Sequence, residues 1–158
     1  MALSPATPKA EIKFRSGAPK WTGLLVAAIA NRCMLPKHAE LESRFGLSGD
    51  EGKVVVFLGM STAVTAQQIS DYTGRAKNSI LRAVSTLEVR GILERSTHPE
   101  DARASYLKLT TAGLRLFEEI SPVYAAAEKR ILEALDKEER KSFVAMLLKI
   151  DAATSDWR

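Results

Sequence analysis

The chain has few of the residues that catalytic and metal sites require. Its 158 residues include one cysteine and two histidines. A single cysteine cannot form an internal disulfide, which favours a reducing, cytoplasmic location. Cys33, His38 and His98 lack the spacing of metal ligands, and the sequence contains neither a phosphate-binding glycine loop nor a nucleophile elbow. The sequence therefore argues against an enzyme and predicts no metal or cofactor.

Long hydrophobic runs are also absent. The longest, GLLVAAIA at residues 23–30, is far too short to cross a bilayer. It follows basic residues as an export signal does, but it begins deep in the chain and Arg32 follows it closely, which argues against export. Hydrophobic residues make up 46% of the chain and charged residues 27%, which suits one folded domain with helical arms.

Positive charge is unevenly distributed. The formal net charge is only +4, but basic residues outnumber acidic ones in residues 1–45 and again in residues 75–110. Basic patches favour polyanions, although a small net positive charge is also a common solubility feature.

Capping signals divide the middle of the chain into three short helices. Ser48 and Thr65 are each followed three residues later by Glu or Gln, the pattern of a capping box. Gly74 and Gly91 are placed to stop the second and third helices. We predict the third helix at residues 75–90. The run VVVF inside the first would also suit a strand, but its capping box favours a helix.

A hairpin is predicted after the third helix. Residues 92–97 (ILERST) and 104–110 (ASYLKLT) are strand-like, and the turn HPED lies between them. The order of helix, helix, turn, helix and hairpin is that of a winged helix-turn-helix. The predicted fold is mainly α with a two-stranded β-hairpin wing, an α+β arrangement. Residues 47–111 would form the DNA-binding lobe.

The two ends of the chain are predicted to be helical arms. Residues 1–20 contain three prolines and read as a flexible or extended segment. Residues 21–46 and 112–158 would form a helical dimerisation region. In its first helix Pro36 predicts a kink or a break. A long helix over residues 111–134 could restart at Ser121, before Pro122.

The last helix, residues 137–150, is predicted to be capped by Asp136 with Glu139. Its apolar stripe and that of the first helix offer more apolar surface than a small lobe can cover, so we expect a two-fold dimer. One larger monomeric core is the alternative. The stripe consists of Phe143, Met146, Leu147 and Ile150.

The third short helix has two distinct faces. Residues at helical spacing should face the core: Ile80, Ala83, Val84 and Leu87. Polar residues project from its first turns, where a recognition helix meets base edges and phosphates. These candidate DNA-binding residues are Lys77, Asn78, Ser79 and Arg82. An ordinary solvated face would look the same.

The hairpin adds candidate contacts with the minor groove. Arg95 and Arg103 lie on its two arms, and a guanidinium is attracted by the negative potential of that groove. Asp101 can accept hydrogen bonds from Arg103 or from turn amides and so orient the wing. Alternatively, Asp101 only builds the turn and Arg103 makes a weak surface ion pair.

At these residues the sequence resembles the MarR family of bacterial transcription regulators. The matching features are Leu87-Glu88, Gly91-Ile92-Leu93-x-Arg95, Asp101-x-Arg103 and Leu107-x-Leu109-Thr110-x-x-Gly113. The resemblance implies a homodimer of winged domains on a pseudo-palindromic operator, usually a repressor. It departs from the family at Ala102, where many relatives have a basic residue, and at Leu81, where small hydroxyl residues are common.

The resemblance also implies a small-molecule effector, often an aromatic carboxylate, between the dimer helices and the DNA lobe. Candidate effector-binding residues are Trp21, Arg32, His38, Phe57 and Phe117, although each could equally be an ordinary interface or core residue. Two other hypotheses stay open. Cys33 could sense oxidants, or the winged helix could bind proteins and show no specific DNA binding.

Overall fold

The computed structural model describes residues 21–97 and 105–154. These form six helices and three strands, and no described helix is long and apolar enough to cross a membrane. The predicted arm at residues 1–20 lies outside the described residues. The elements are α1 (Thr22–Phe45), α2 (Gly49–Gly59), β1 (Val64–Thr65), α3 (Ala66–Thr73), α4 (Lys77–Val89), β2 (Leu93–Thr97), β3 (Ser105–Leu109), α5 (Thr111–Leu132) and α6 (Lys137–Thr154).

The local capping signals are confirmed. Ser48 caps α2 and Thr65 caps α3, and each makes both hydrogen bonds of a capping box. The stretch VVVF is therefore helical. Gly74 and Gly91 adopt φ of 63° and 69°, the left-handed conformation that ends a helix without steric cost for glycine.

Helix α4 begins at Lys77, two residues later than predicted, because Arg75 and Ala76 belong to the turn after α3. The carbonyl of Ala76 accepts from the amides of Ser79 at 2.9 Å and Ile80 at 3.3 Å, which closes the first helical turn. No side chain caps this end.

The wing sheet has three strands in the order β1-β3-β2, and both pairings are antiparallel. The prediction of two strands missed β1, because two residues are too short for an alternating pattern to show. Val64 lies opposite Leu107 and Thr65 opposite Tyr106. Strand β1 ties the start of α3 to the hairpin, so the wing and the helix-turn-helix share one framework.

Neither of the two predicted helix breaks occurs. Helix α1 runs unbroken through Pro36, and α5 runs unbroken through Ser121 and Pro122. The hydroxyl of Ser121 donates to the carbonyl of Phe117 at 2.6 Å, so it bonds back to its own helix and does not cap a new one. Asp136 and Glu139 do form the predicted cap of α6, which extends to Thr154.

One hydrophobic core lies between the end of α1, helices α2 to α4, the sheet and the first half of α5. The four predicted core positions of α4 are buried at 0–5% exposure. The core residues are Leu41, Leu47, Val54, Val55, Leu58, Ile69, Ile80, Ala83, Val84, Leu87, Leu93, Leu107, Leu109, Ile120 and Val123.

The apolar surfaces of the helical arms remain exposed in the single chain. Leu24 is 69% exposed and Leu25 57%, both in the first half of α1. Helix α6 has no buried residue, and Met146 in its predicted stripe is 56% exposed. The described residues of a single chain therefore do not build the larger monomeric core that was the alternative to a dimer.

Candidate nucleic-acid interface

A long-range ion pair holds the turn that introduces α4. Arg75 donates from Nε to Oδ1 of Asp50 at 2.9 Å and from Nη2 to Oδ2 at 2.7 Å. Lys53 also contacts Asp50 Oδ1, at 3.0 Å. Partial burial works to raise the pKa of Asp50, but the hydrogen bonds from Arg75 and Lys53 outweigh it and hold that pKa below its ordinary value. The carboxylate therefore stays charged and fixes the turn to α2.

A largely buried hydrogen bond also holds the turn between α3 and α4. The hydroxyl of Ser70 in α3 is largely buried and donates to the carbonyl of Arg75 at 2.8 Å. Arg75 is thus fixed through both its side chain and its backbone, two residues before α4 begins. The start of α4 is a rigid element, which positions base-reading side chains better than a loose loop would.

The predicted contact residues lie along the outer face of α4. Lys77, Asn78 and Arg82 are exposed, and Ser79 is half-buried. Arg82 Nε reaches the carbonyl of Asn78 at 3.3 Å, a long hydrogen bond that leaves the end of the guanidinium available. Donors and acceptors of these kinds suit base edges and phosphates.

Sequence reasoning missed part of this face. An open groove along α4 is lined by Asn78, Leu81, Arg82, Ser85 and Thr86. The last two lie one turn beyond Leu81 and Arg82, and the spacing of three and four residues that places them on this face is visible in the sequence. The polar surface of α4 therefore extends over two turns of the helix.

Arg95 in β2 is held by an acid of α4. Its Nε donates to Oε2 of Glu88 at 2.8 Å, and both side chains are partly exposed. This pair links the base of the wing to the end of the helix. Asp101 and Arg103, the other two predicted wing contacts, lie outside the described residues, as does His98.

A second long-range arginine contact was also missed. Arg90 donates from Nη1 to the carbonyl of Gly46 at 3.1 Å and from Nη2 to that of Phe45 at 3.2 Å. These two carbonyls lie at the C-terminus of α1, where the helix dipole favours a cation such as the Arg90 guanidinium. The two ends of α4 are thus anchored separately, one to α2 and the other to α1.

A groove of about 280 Å³ lies between α1 and α5. Arg32, one of the five predicted effector residues, lines it, and so does Cys33. Lys37 also lines it and is only 7% exposed, with Nζ 4.1 Å from the ring centroid of Tyr124. Burial and then the charge of Lys53 lower the pKa of Lys37. With Arg130 from α5, three basic side chains line the groove, against one acid, Glu40.

The other four predicted effector residues are not brought together. Trp21 is 65% exposed before α1. The ring of Phe57 makes a tilted contact with that of Tyr72, with centroids 5.0 Å apart and planes at 60°, and Phe117 packs on Gly59. Neither Trp21, Phe57 nor Phe117 lines the groove that holds Arg32.

His38, the last of the four, packs on the first turn of α2. A Cβ added to Gly49 would lie 2.7 Å from its Nε2, and this buried nitrogen has no hydrogen-bond partner among the described residues. Burial, followed by the charge of Lys53, lowers the pKa of His38. Among residues 21–97 and 105–154, no cluster of three or more acids, histidines or cysteines could hold a metal ion.

Comparisons with known proteins agree with this geometry. The sequence profile of the MarR family matches residues 45–104. The HTH-type transcriptional regulator MhqR of Bacillus subtilis is 30% identical over 107 residues, which cover 68% of this chain and 74% of MhqR. The structure of a MarR/EmrR family transcriptional regulator from Acinetobacter sp. ADP1 gives a TM-score of 0.76 at 27% identity, covering 84% of this chain and 94% of that one.

A MarR family regulator from Listeria monocytogenes, solved as a complex with 26mer DNA, shares the fold. Its TM-score is 0.80 at 16% identity, and the match covers 87% of this chain and 91% of that one. With MhqR as a relative at 30% identity, the assignment rests on sequence as well as on fold. The chain belongs to the MarR family of winged helix-turn-helix transcription regulators.

Proposed function

We propose that the chain is a homodimeric, sequence-specific regulator that represses transcription by binding a pseudo-palindromic operator. The observation that carries this proposal is the outer face of α4. It presents Asn78 and Arg82 to solvent from a helix whose start is fixed by the Asp50–Arg75 pair. Such a face suits the major groove, where bidentate contacts distinguish base pairs.

The homodimer follows from the exposed apolar arms. The first half of α1 and most of α6 expose large apolar side chains that the chain's own core does not cover. Contiguous exposed apolar side chains mark interaction sites. A second copy related by a two-fold axis would cover both and would place two α4 helices about one DNA turn apart.

Repression would be relieved by a small effector bound near the dimer helices. The α1–α5 groove supports this part of the proposal, because it is lined by several basic side chains, among them the candidate effector residue Arg32. Effector binding would shift the population of dimers away from the spacing of the two α4 helices that fits DNA.

The residues best supported as DNA contacts are Asn78 and Arg82. Lys77, Ser79, Arg95, Asp101 and Arg103 complete the proposed set.

Two other functions have weaker support. Cys33 is a half-buried residue in the groove, which alone does not indicate redox sensing. A protein-binding winged helix would not need a long polar face on α4. Salt dependence separates the last alternative. Binding to DNA releases counterions, and because this release gains less free energy at higher salt, DNA affinity falls steeply with salt, whereas the affinity of an apolar protein interface changes little.

The test compares Arg82→Ala with Lys141→Ala, which removes the same charge from an exposed pair at the start of α6. Binding is measured by fluorescence anisotropy on operator and on scrambled duplex at several salt concentrations. We expect Arg82→Ala to lose about 1–3 kcal/mol of discrimination between the two duplexes. Lys141→Ala should match the wild type. Equal losses on both duplexes would make Arg82 a phosphate contact, and no loss would remove it from the interface.

A further inference from the structure

Leu81 is an apolar side chain on an otherwise polar surface. The other residues that line the open groove along α4 are all polar: Asn78, Arg82, Ser85 and Thr86. Leu81 is partly exposed, and within residues 21–97 and 105–154 it belongs neither to the buried core nor to the hydrophobic residues packed against that core. The core side of α4 is filled by Ile80, Ala83, Val84 and Leu87. Packing of the core therefore gives no reason for an apolar residue at this position.

Leu81 lies in the middle of the surface that is proposed to read DNA. It follows Asn78 by three residues and precedes Ser85 by four, and residues at these spacings share one face of a helix. Three residues span about 4.5 Å along the helix axis, which is between one and two base-pair steps of about 3.4 Å. With α4 in the major groove, Leu81 therefore faces a base pair within two steps of the pair that Asn78 contacts.

The major groove offers a leucine side chain one apolar partner. Thymine presents a methyl group at C5, whereas the edges of the other bases are distinguished there by hydrogen-bond donors and acceptors. A leucine packed on the edge of a G·C pair would desolvate those polar groups without giving them a partner, which weakens binding. An apolar side chain at this position therefore selects for thymine and against a G·C pair.

We propose that Leu81 is a specificity-determining residue, which reads the C5 methyl group of one thymine in each half-site by apolar contact. The neighbouring Asn78 carries the amide that pairs with an adenine edge. Together the two side chains favour an A·T-rich step in each half-site. This inference rests on the proposed function, in which α4 enters the major groove of an operator.

Replacing thymine by uracil tests the contact, because this exchange removes the C5 methyl and keeps every hydrogen-bonding group of the base pair. The duplex is the operator that the full-length protein selects from random DNA. Each thymine is replaced in turn, at the same position of both half-sites, and affinity is measured by fluorescence anisotropy. For the wild type we expect one position at which uracil weakens binding about fourfold per half-site, the change for one methyl group left unburied.

The same exchange in Leu81 variants separates a direct contact from an effect of uracil on DNA shape. At that position uracil should leave the affinity of Leu81→Ala unchanged, because the side chain that contacts the methyl group is gone. Leu81→Met keeps an apolar side chain of similar volume and should still lose affinity with uracil. Val89→Ala is the matched control, since Val89 is an apolar residue of the same helix, is 89% exposed and lies outside the groove lining. Its loss with uracil should equal that of the wild type.

The outcomes separate this inference from the proposed function. Leu81→Ala should keep the urea midpoint of the wild type, because Leu81 is not part of the core, so unfolding does not account for a change in DNA binding. Equal losses with uracil in the wild type and Leu81→Ala, or no thymine whose methyl group contributes, would overturn the contact and leave α4 as the DNA-reading helix. A wild type that selects no motif from random DNA would remove the proposed function, and the role of Leu81 with it.

Discussion

Arg75 and Asp50 are 25 residues apart in the sequence and joined by two hydrogen bonds, at 2.9 and 2.7 Å. The fork of the guanidinium meets both carboxylate oxygens, a geometry that fixes orientation as well as distance. Because Asp50 lies in the first turn of α2 and Arg75 in the turn before α4, this pair sets the position of α4, the proposed recognition helix, relative to α2.

Asp50→Asn should therefore weaken DNA binding more than it weakens the fold. The amide cannot accept both guanidinium donors, and we expect unfolding in urea to lose about 1 kcal/mol, the scale of a partly exposed pair. Operator affinity should fall as well, because α4 becomes less well positioned. Glu138→Gln, which breaks the exposed pair with Lys141, is the control and should change neither quantity. An unchanged operator affinity in Asp50→Asn would contradict the positioning role.

The pairing of Glu88 with Arg95 predicts non-additive effects on DNA binding. While Glu88 holds Arg95 Nε at 2.8 Å, Arg95→Ala should cost little affinity. Glu88→Gln removes an acid near the DNA and frees Arg95, so affinity should rise and its salt dependence should steepen. In the Glu88→Gln background, Arg95→Ala should then cost clearly more. A double-mutant cycle in anisotropy measures this difference, and additive losses would mean that the pair does not govern Arg95.

Gly113 is predicted to be essential for the junction of the wing with α5. A Cβ at this position would lie 2.0 Å from the carbonyl oxygen of Ile92, and backbone cannot move aside as a flexible side chain can. Gly113→Ala should cost about 1–3 kcal/mol or more in urea unfolding. Gly23→Ala in α1 has nothing within 4 Å and is the control, with equal or slightly higher stability. Equal stability of the two variants would contradict the close packing at Gly113.

The lowered pKa of His38 predicts that the free energy of unfolding decreases at acidic pH. Burial and then Lys53 lower its pKa below 6.5; Lys37 and Arg75 act in the same direction, and only Asp50 opposes them. The folded chain therefore binds a proton less readily than the unfolded chain, and stability is lost as pH falls from 6.5 towards the lowered pKa.

Urea midpoints measured between neutral and acidic pH test this prediction. His38→Leu should flatten the part of the profile just below pH 6.5, where the unfolded chain alone gains a proton at that site. A slope in that window identical to that of the wild type would show that other groups cause the loss.

Interactions within one turn of the chain were predictable from the sequence. The caps at Ser48, Thr65 and Asp136 depend on residues three positions away, and all three are present. The buried face of α4 follows from helical spacing for the same reason. Strand β1 was missed because its two residues pair with β3, which is more than 40 residues away in the sequence.

The contacts that make a site were not predictable, because they join distant segments. Arg90 donates to carbonyls 44 and 45 residues away, and no local sequence pattern predicts these hydrogen bonds. Lys37 follows a proline in an apolar helix, and only packing against α5 shows that its ammonium group lies on Tyr124. The continuity of α1 also depends on contacts between distant segments. Packing of its second half against α2 and α5 outweighs the hydrogen bond lost at Pro36.

The most direct test of the central claim is selection of bound sequences from random duplex DNA by the purified protein, with Arg82→Ala selected in parallel. We predict a palindromic motif with half-sites about one helical turn apart for the wild type, and a motif degenerate at one position of each half-site for the variant. Binding without any motif, or the same motif from both proteins, would contradict sequence reading by the outer face of α4.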